Sequence, residues 1–310
     1  MSVDIHRIDV RVALGFKRAV NAVAGRTAAL LLRALRLTDL DRTADMFAAV
    51  MRTIGPRLRE HRIGRANLAA AFPDKSPAEI EAILAGVWDN VGRTAAEFIH
   101  LDRMWDYDRT HPKAGRAEST PESDAYFDRM RDDGQPALVF AAHLANWEQP
   151  ALAAKGGGLN FAALFRRPNL SGISDAIMAA RAGAMGTMIA GGPDAPFRIA
   201  RALEQGQHVG LLVDQHYGNG VDVTFFGRTC KANPMLARLA RHIDCPIHGT
   251  RAIRLPNNRF RVEMTDAITV PRDAGGRVDV QGTMQVITAI VEGWVREHPE
   301  QWLWLHRRWR

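Results

Sequence analysis

The sequence predicts an α/β protein: a central, mostly parallel sheet with flanking helices, preceded by an N-terminal helical region. Three observations carry this. From about residue 137 onward, short apolar runs alternate with helical stretches, as strand–helix–strand units require. The residues before about 105 show helical periodicity and no such runs. Three of the apolar runs end in polar clusters, and the carboxyl edge of an open parallel sheet is where such folds hold ligands.

Taken in order, residues 11–36 form the first candidate helix. At about 100° per residue, Arg11, Arg18, Arg26, Arg33 and Arg36 fall within an arc of about 80°, and Val12, Phe16, Val20, Val23, Leu30 and Leu31 on a neighbouring arc of about 100°. A basic face beside an apolar one describes a helix lying in a membrane interface. It also describes a surface helix docked on its own core. Helices follow near 41–54 and 76–100; Ser76, Pro77 and Glu79 supply an N-cap, a first helical proline and a capping box. Residues 106–123 read as a surface connection or weak strands. These features divide the chain into a helical, membrane-interface region, 1–105, and an α/β domain, 106–310, packed as one unit.

In the α/β part, strands are expected at 137–142, 161–165, 187–190, 209–213, 221–226, 246–255 and 259–264. Helices are expected near 145–155, 171–184, 195–205, 233–243 and 281–297, with Asn233 as a cap before Pro234. Residues 225–228 read as a strand end and a turn. Trp302, Trp304 and Trp309 suit core packing or an interfacial aromatic belt.

Composition narrows the function classes. With 46% hydrophobic and 24% charged residues in 310, the chain is ordinary globular protein rather than disordered, collagenous or coiled-coil. Its net charge is +7, and Arg outnumbers Lys 36 to 5. Arginine's planar fork suits phosphate, which leaves nucleic acid, membrane surface and phosphorylated substrates open. Cys230 and Cys245 form no C-x-x-C pair, which argues against a disulfide scaffold and a structural zinc site. No run of 18 apolar residues is free of charge, and the start is not a signal-peptide pattern. G-x-S-x-G, H-E-x-x-H, Walker A and G-x-G-x-x-G motifs are absent.

The sharpest feature is His143-Leu-Ala-Asn-Trp-Glu148, after an apolar run and before a helical stretch. This places an imidazole at a strand's carboxyl end with a carboxylate five residues on. Such a pair deprotonates a hydroxyl: histidine titrates near neutrality and a carboxylate steadies the imidazolium. The helix start also offers backbone N–H groups for a developing oxyanion. Arg166-Arg167-Pro-Asn169 and Asp214-Gln215-His216 close two further predicted strands, and three such clusters make an α/β active site.

With these pieces in view, the sequence resembles the bacterial lipid A biosynthesis acyltransferases of the lauroyl/myristoyl type, within the wider glycerolipid acyltransferase-like group. The carrying pieces are His143 to Glu148, Arg167-Pro-Asn169, Asp214-Gln215, Thr224-Phe-Phe-Gly227, Asn233-Pro234 and Gln301-Trp-Leu-Trp-Leu-His-Arg-Arg308. The resemblance is strongest from residue 70 to 310. It implies an H-x4-D/E pair, with His143 as general base and Glu148 as its orienting partner. It implies a donor acyl thioester on acyl carrier protein and an acceptor hydroxyl on a Kdo-bearing lipid A precursor, with no cofactor or metal. Arg166 or Arg167 would bind phosphate, and Asn169, Asp214, Gln215 and Asn146 would shape the substrate cleft. The implied location is the cytoplasmic face of the bacterial inner membrane, on an anionic lipid surface. Many relatives carry an N-terminal spanning helix; here the Arg-interrupted segment 11–36 points instead to interfacial attachment. The same chemistry on another glycolipid or a lysophospholipid is the alternative reading.

Overall fold

A computed structural model of the chain describes residues 33–165, 181 and 183–309. Arg11, Arg18, Arg26, Arg166, Arg167 and Asn169 lie outside them. The helical region contains α1 (Leu40–Ile54), α2 (Arg59–Ala71) and α3 (Pro77–Glu97). Ser76 caps α3: its Oγ accepts from Glu79 N, while the Glu79 carboxylate accepts from Ser76 N at 2.8 Å. α1 and α3 touch backbone to backbone at Gly92, where an added Cβ would stand 2.5 Å from the Phe47 carbonyl oxygen.

The seven-stranded sheet has the order β1-β9-β8-β2-β5-β3-β4. Its strands are β1 (Ala117–Ser119), β2 (Leu138–Ala141), β3 (Phe161–Phe165), β4 (Thr187–Ala190), β5 (His208–Leu212), β8 (Ile247–Leu255) and β9 (Arg259–Met264). Every pairing is parallel except β8 with β9. Asn257 and Asn258 take left-handed backbone there and turn the chain straight back, a conformation asparagine tolerates.

Helices cover both faces. Met130 of α4 (Pro121–Asp132) and Ala154 of α5 (Gln149–Gly156) pack with Phe161 on one face. On the other, α6 (Ala195–Glu204), α7 (Met235–Ile243) and α8 (Val280–Glu297) pack on Phe140, Ala162 and Leu211. β6 (Val221–Phe225) and β7 (Arg228–Ala232) form a separate hairpin. Its turn carries Phe226 into an edge-on stack with Phe72, 5.2 Å between centroids, and with Trp304. Trp302 and Trp304 are fully buried, so the closing segment is core and not an aromatic belt.

Three elements escape the sequence pattern. α2 buries His61, Gly64, Asn67, Leu68 and Ala71, a helical spacing occupied by small and polar residues. α4 falls at the edge of the segment read as connection, although Thr120 caps it and Pro121 opens it. β7 is the return strand after the turn at 226–227. The helix expected from 145 begins at Gln149, because Ala145 is left-handed (φ 48°) and the chain first makes a loop. No helix among the described residues is long and apolar enough to cross a membrane.

Candidate active site

β2 ends at Ala141, and His143 follows at the carboxyl edge of the sheet. The loop from 143 to 148 is held from two directions. The C-terminal segment docks beneath it: Ala145 N donates to Gln301 O at 2.9 Å and Leu303 N donates to His143 O at 3.1 Å. Asn90 of α3 donates to Ala145 O at 3.1 Å. Inside the loop, Asn146 is fully buried; its Nδ2 donates to Glu97 at 2.9 Å and its Oδ1 accepts from Glu148 N at 3.0 Å. Glu97 is itself ion-paired with Arg254. The buried side chains of Asn146 and Glu97 thus find partners, which holds the loop in one conformation.

The imidazole is held by Asp214, just beyond β5. Asp214 Oδ1 accepts from His143 Nδ1 at 2.8 Å; Oδ2 accepts from His143 N at 2.9 Å and from Trp302 Nε1 at 2.7 Å. The side chain of Asp214 is 1% exposed and that of His143 15%. Burial alone would raise the Asp214 carboxyl, but the ring and N–H of His143 hold it well below the usual carboxylate range. An ionised carboxylate only accepts, so Nδ1 carries the proton and Nε2 is the bare nitrogen. Gln215 Nε2 approaches that nitrogen at 3.3 Å. His306 lies nearby, pushed down to about 4 by burial, and is neutral above that pH. The imidazole thus has a fixed tautomer with its lone pair on Nε2, an arrangement able to take a proton from a hydroxyl.

A cavity of about 1470 Å³ opens beside this pair. Below the α4 and α5 face it is lined by Val139, Ala141, Ala163 and Gly210; on the α6 and α7 face by Leu211, Val213, Ala200 and Leu239. His143, Gln215, Phe165 and Gly191, at the carboxyl edge, also line it.

The model of the family described as bacterial lipid A biosynthesis acyltransferase matches residues 19–310. The chain belongs to this family. No curated protein matches the sequence.

Within this acyltransferase, several of the expected residues make contacts other than those expected. The carboxylate on His143 Nδ1 is Asp214's, not that of Glu148. Glu148 is turned into an ion pair with Arg181, and burial raises its carboxyl, with Arg181 only partly offsetting that. Arg181 stacks over Phe98, 5.0 Å from the ring centre. Asp214 bonds to His143 and Trp302, and Asn146 to Glu97 and Glu148. Gln215 does face the cavity. The backbone N–H groups of 148 and 149 both donate to Asn146 and Pro150 has none, so the helix start offers no free oxyanion donor at these positions. Arg36 is ion-paired with Asp102 at 2.7 Å, whereas Arg33 is exposed. No cluster of three metal-ligating side chains occurs among the described residues.

Sequence reasoning missed Arg181, Trp302's bond to Asp214 and the Glu97–Arg254 pair. The only sequence signal for Arg181 is a lone cation in a run of small residues. The other partners lie too far apart in the chain for any spacing to join them.

Proposed function

We propose that this acyltransferase moves a fatty acyl chain from acyl carrier protein to a hydroxyl of a Kdo-bearing lipid A precursor, with His143 as general base. The observation that carries the mechanism is the buried Asp214 on Nδ1, which leaves Nε2 bare at the cavity. Nε2 takes the acceptor hydroxyl's proton as that oxygen attacks the thioester carbonyl. The tetrahedral adduct then collapses, the C–S bond breaks, and the imidazolium returns its proton to the departing thiolate. Asp214 stabilises the imidazolium throughout. Gln215 Nε2 supplies an amide donor for the oxyanion once the hydroxyl displaces it from His143. Arg166 or Arg167 binds phosphate of the acceptor or of the donor's pantetheine arm, and Asn169 takes part in binding substrate. The reaction takes place at the cytoplasmic face of the inner membrane, where both substrates meet.

The test is turnover of purified full-length chain with acyl carrier protein thioesters and the Kdo-bearing acceptor. His143→Ala and Asp214→Asn should each lower kcat by about 10²–10⁴-fold with folding intact, the range general-base catalysis supplies. Near-wild-type turnover in either variant would remove that residue from the mechanism.

A further inference from the structure

We propose that the two lobes of the cavity receive two different hydrocarbon chains: the lobe under α4 and α5 takes the donor's acyl chain, and the lobe under α6 and α7 takes the acyl chain of the acceptor lipid. This rests on reading the site as one that acylates a hydroxyl, and it assigns where each chain lies.

The pleat supplies the argument. Alternate residues of a strand face opposite sides of a sheet. Val139, Ala141, Ala163 and Gly210 line one lobe, while Leu164, Leu211 and Val213 line the other. The sheet therefore stands between the lobes, which meet over its carboxyl edge beside His143. At about 1470 Å³ the space exceeds the roughly 300–1,000 Å³ that holds one compact ligand. A reaction joining two chains at one oxygen needs this geometry, with each chain leaving the reacting atoms in its own direction.

The lining differs in a way that assigns the lobes. The first has a floor of small residues, and a Cβ built on Gly210 meets nothing within 4 Å. One register row further from the catalytic edge stand Phe161 and His208, which are paired across β3 and β5 and buried. The charged groups that line this side, Arg109 and Asp124, lie 3.9 Å apart and offset each other, which leaves a slot for a bare hydrocarbon chain whose head group stays outside. In the second lobe, Ala200, Met235 and Leu239 are joined by Arg238, whose side chain makes no ion pair or hydrogen bond with any described residue. Phe197, 79% exposed, lines the same cavity. A free cation and an exposed aromatic ring at the rim of an apolar lobe suit an anionic lipid, its chain inside and its phosphate on the guanidinium.

Gly210→Leu, Ala200→Phe and Arg238→Gln separate the two assignments. Each variant is assayed with acyl carrier protein thioesters of graded length and with the Kdo-bearing acceptor, intact or stripped of phosphate. Gly210→Leu should move donor preference to shorter chains by two carbons or more and leave acceptor KM within twofold. Ala200→Phe should raise acceptor KM at least tenfold with donor preference unchanged. Arg238 is exposed, so its variant folds; it should raise KM about tenfold for the phosphorylated acceptor and less than twofold for the stripped one. The assignment is overturned if Ala200→Phe changes donor preference, or if Arg238→Gln leaves acceptor KM within twofold. A wild-type chain that cleaves the thioester yet transfers nothing to any lipid hydroxyl would instead overturn the transferase reading beneath it.

Discussion

A carboxylate buried as deeply as Asp214 stays ionised only where donors surround it, and three do. One of them, the indole of Trp302, comes from the far end of the chain. Trp302→Phe keeps the ring and removes the N–H. It should lower kcat about tenfold with the fold intact, because the carboxylate that holds His143 loses one of its three donors. An unchanged kcat would make Trp302 packing alone. His306 yields a second prediction. Its folded pKa, about 4, lies below the ordinary histidine value, so the unfolded chain binds the extra proton. Stability should therefore rise with pH between about 4 and 6.5, a slope that His306→Phe should flatten in urea denaturation. Burial lowers His100, His208 and His248 in the same direction. At this scale the sequence reveals the histidine and not the carboxylate on its ring. His143 is visible because it closes an apolar run, and the spacing suggests Glu148 because it is five residues away. Asp214 also closes a run, but parallel pairing of β2 with β5 is what puts the two ends side by side.

Between elements, the closest approach is that of α1 to α3. Gly92→Ala places a methyl against the backbone of Phe47 and Ala48, where nothing flexible can yield. It should cost about 1–3 kcal/mol, the usual range for overpacking. Gly293, inside α8, is the opposite case, since an added Cβ meets nothing within 4 Å. Gly293→Ala should stabilise by roughly 0.5–1 kcal/mol through helix propensity. Chemical denaturation of both variants checks the pair, and equal signs would refute the packing argument. The same contrast explains which elements could be read in advance. Strands β2 to β5 are short apolar runs with nothing else to be, and α3 announces itself by its capping box. α2 and α4 bury few large apolar side chains, so periodicity is silent even though α4 has a cap and a proline at its start. Their burial is decided by what the rest of the chain lays against them.

For the molecule as a whole, α1 presents Met46, Val50 and Ile54 to solvent, each about half exposed and four residues apart. Arg42, Arg52 and Arg57 are exposed on the same stretch. An apolar ridge among arginines continues the character of the segment 11–36 and supports attachment to an anionic surface. The full chain should pellet with anionic vesicles at low salt and be released as salt rises, whereas a chain starting at residue 41, which keeps this ridge and loses the segment 11–36, should pellet more weakly. Equal pelleting of both would remove the segment 11–36 from the attachment. The strand order has a separate consequence, in time rather than space. β1 pairs with β9 across about 140 residues of chain, and β2 waits for β8 before its second edge is covered. Contacts this distant in sequence form slowly, and open strand edges invite aggregation meanwhile. Heat-inactivated enzyme should therefore recover poorly, and its working lifetime at high temperature is set by how fast it unfolds rather than by its equilibrium stability.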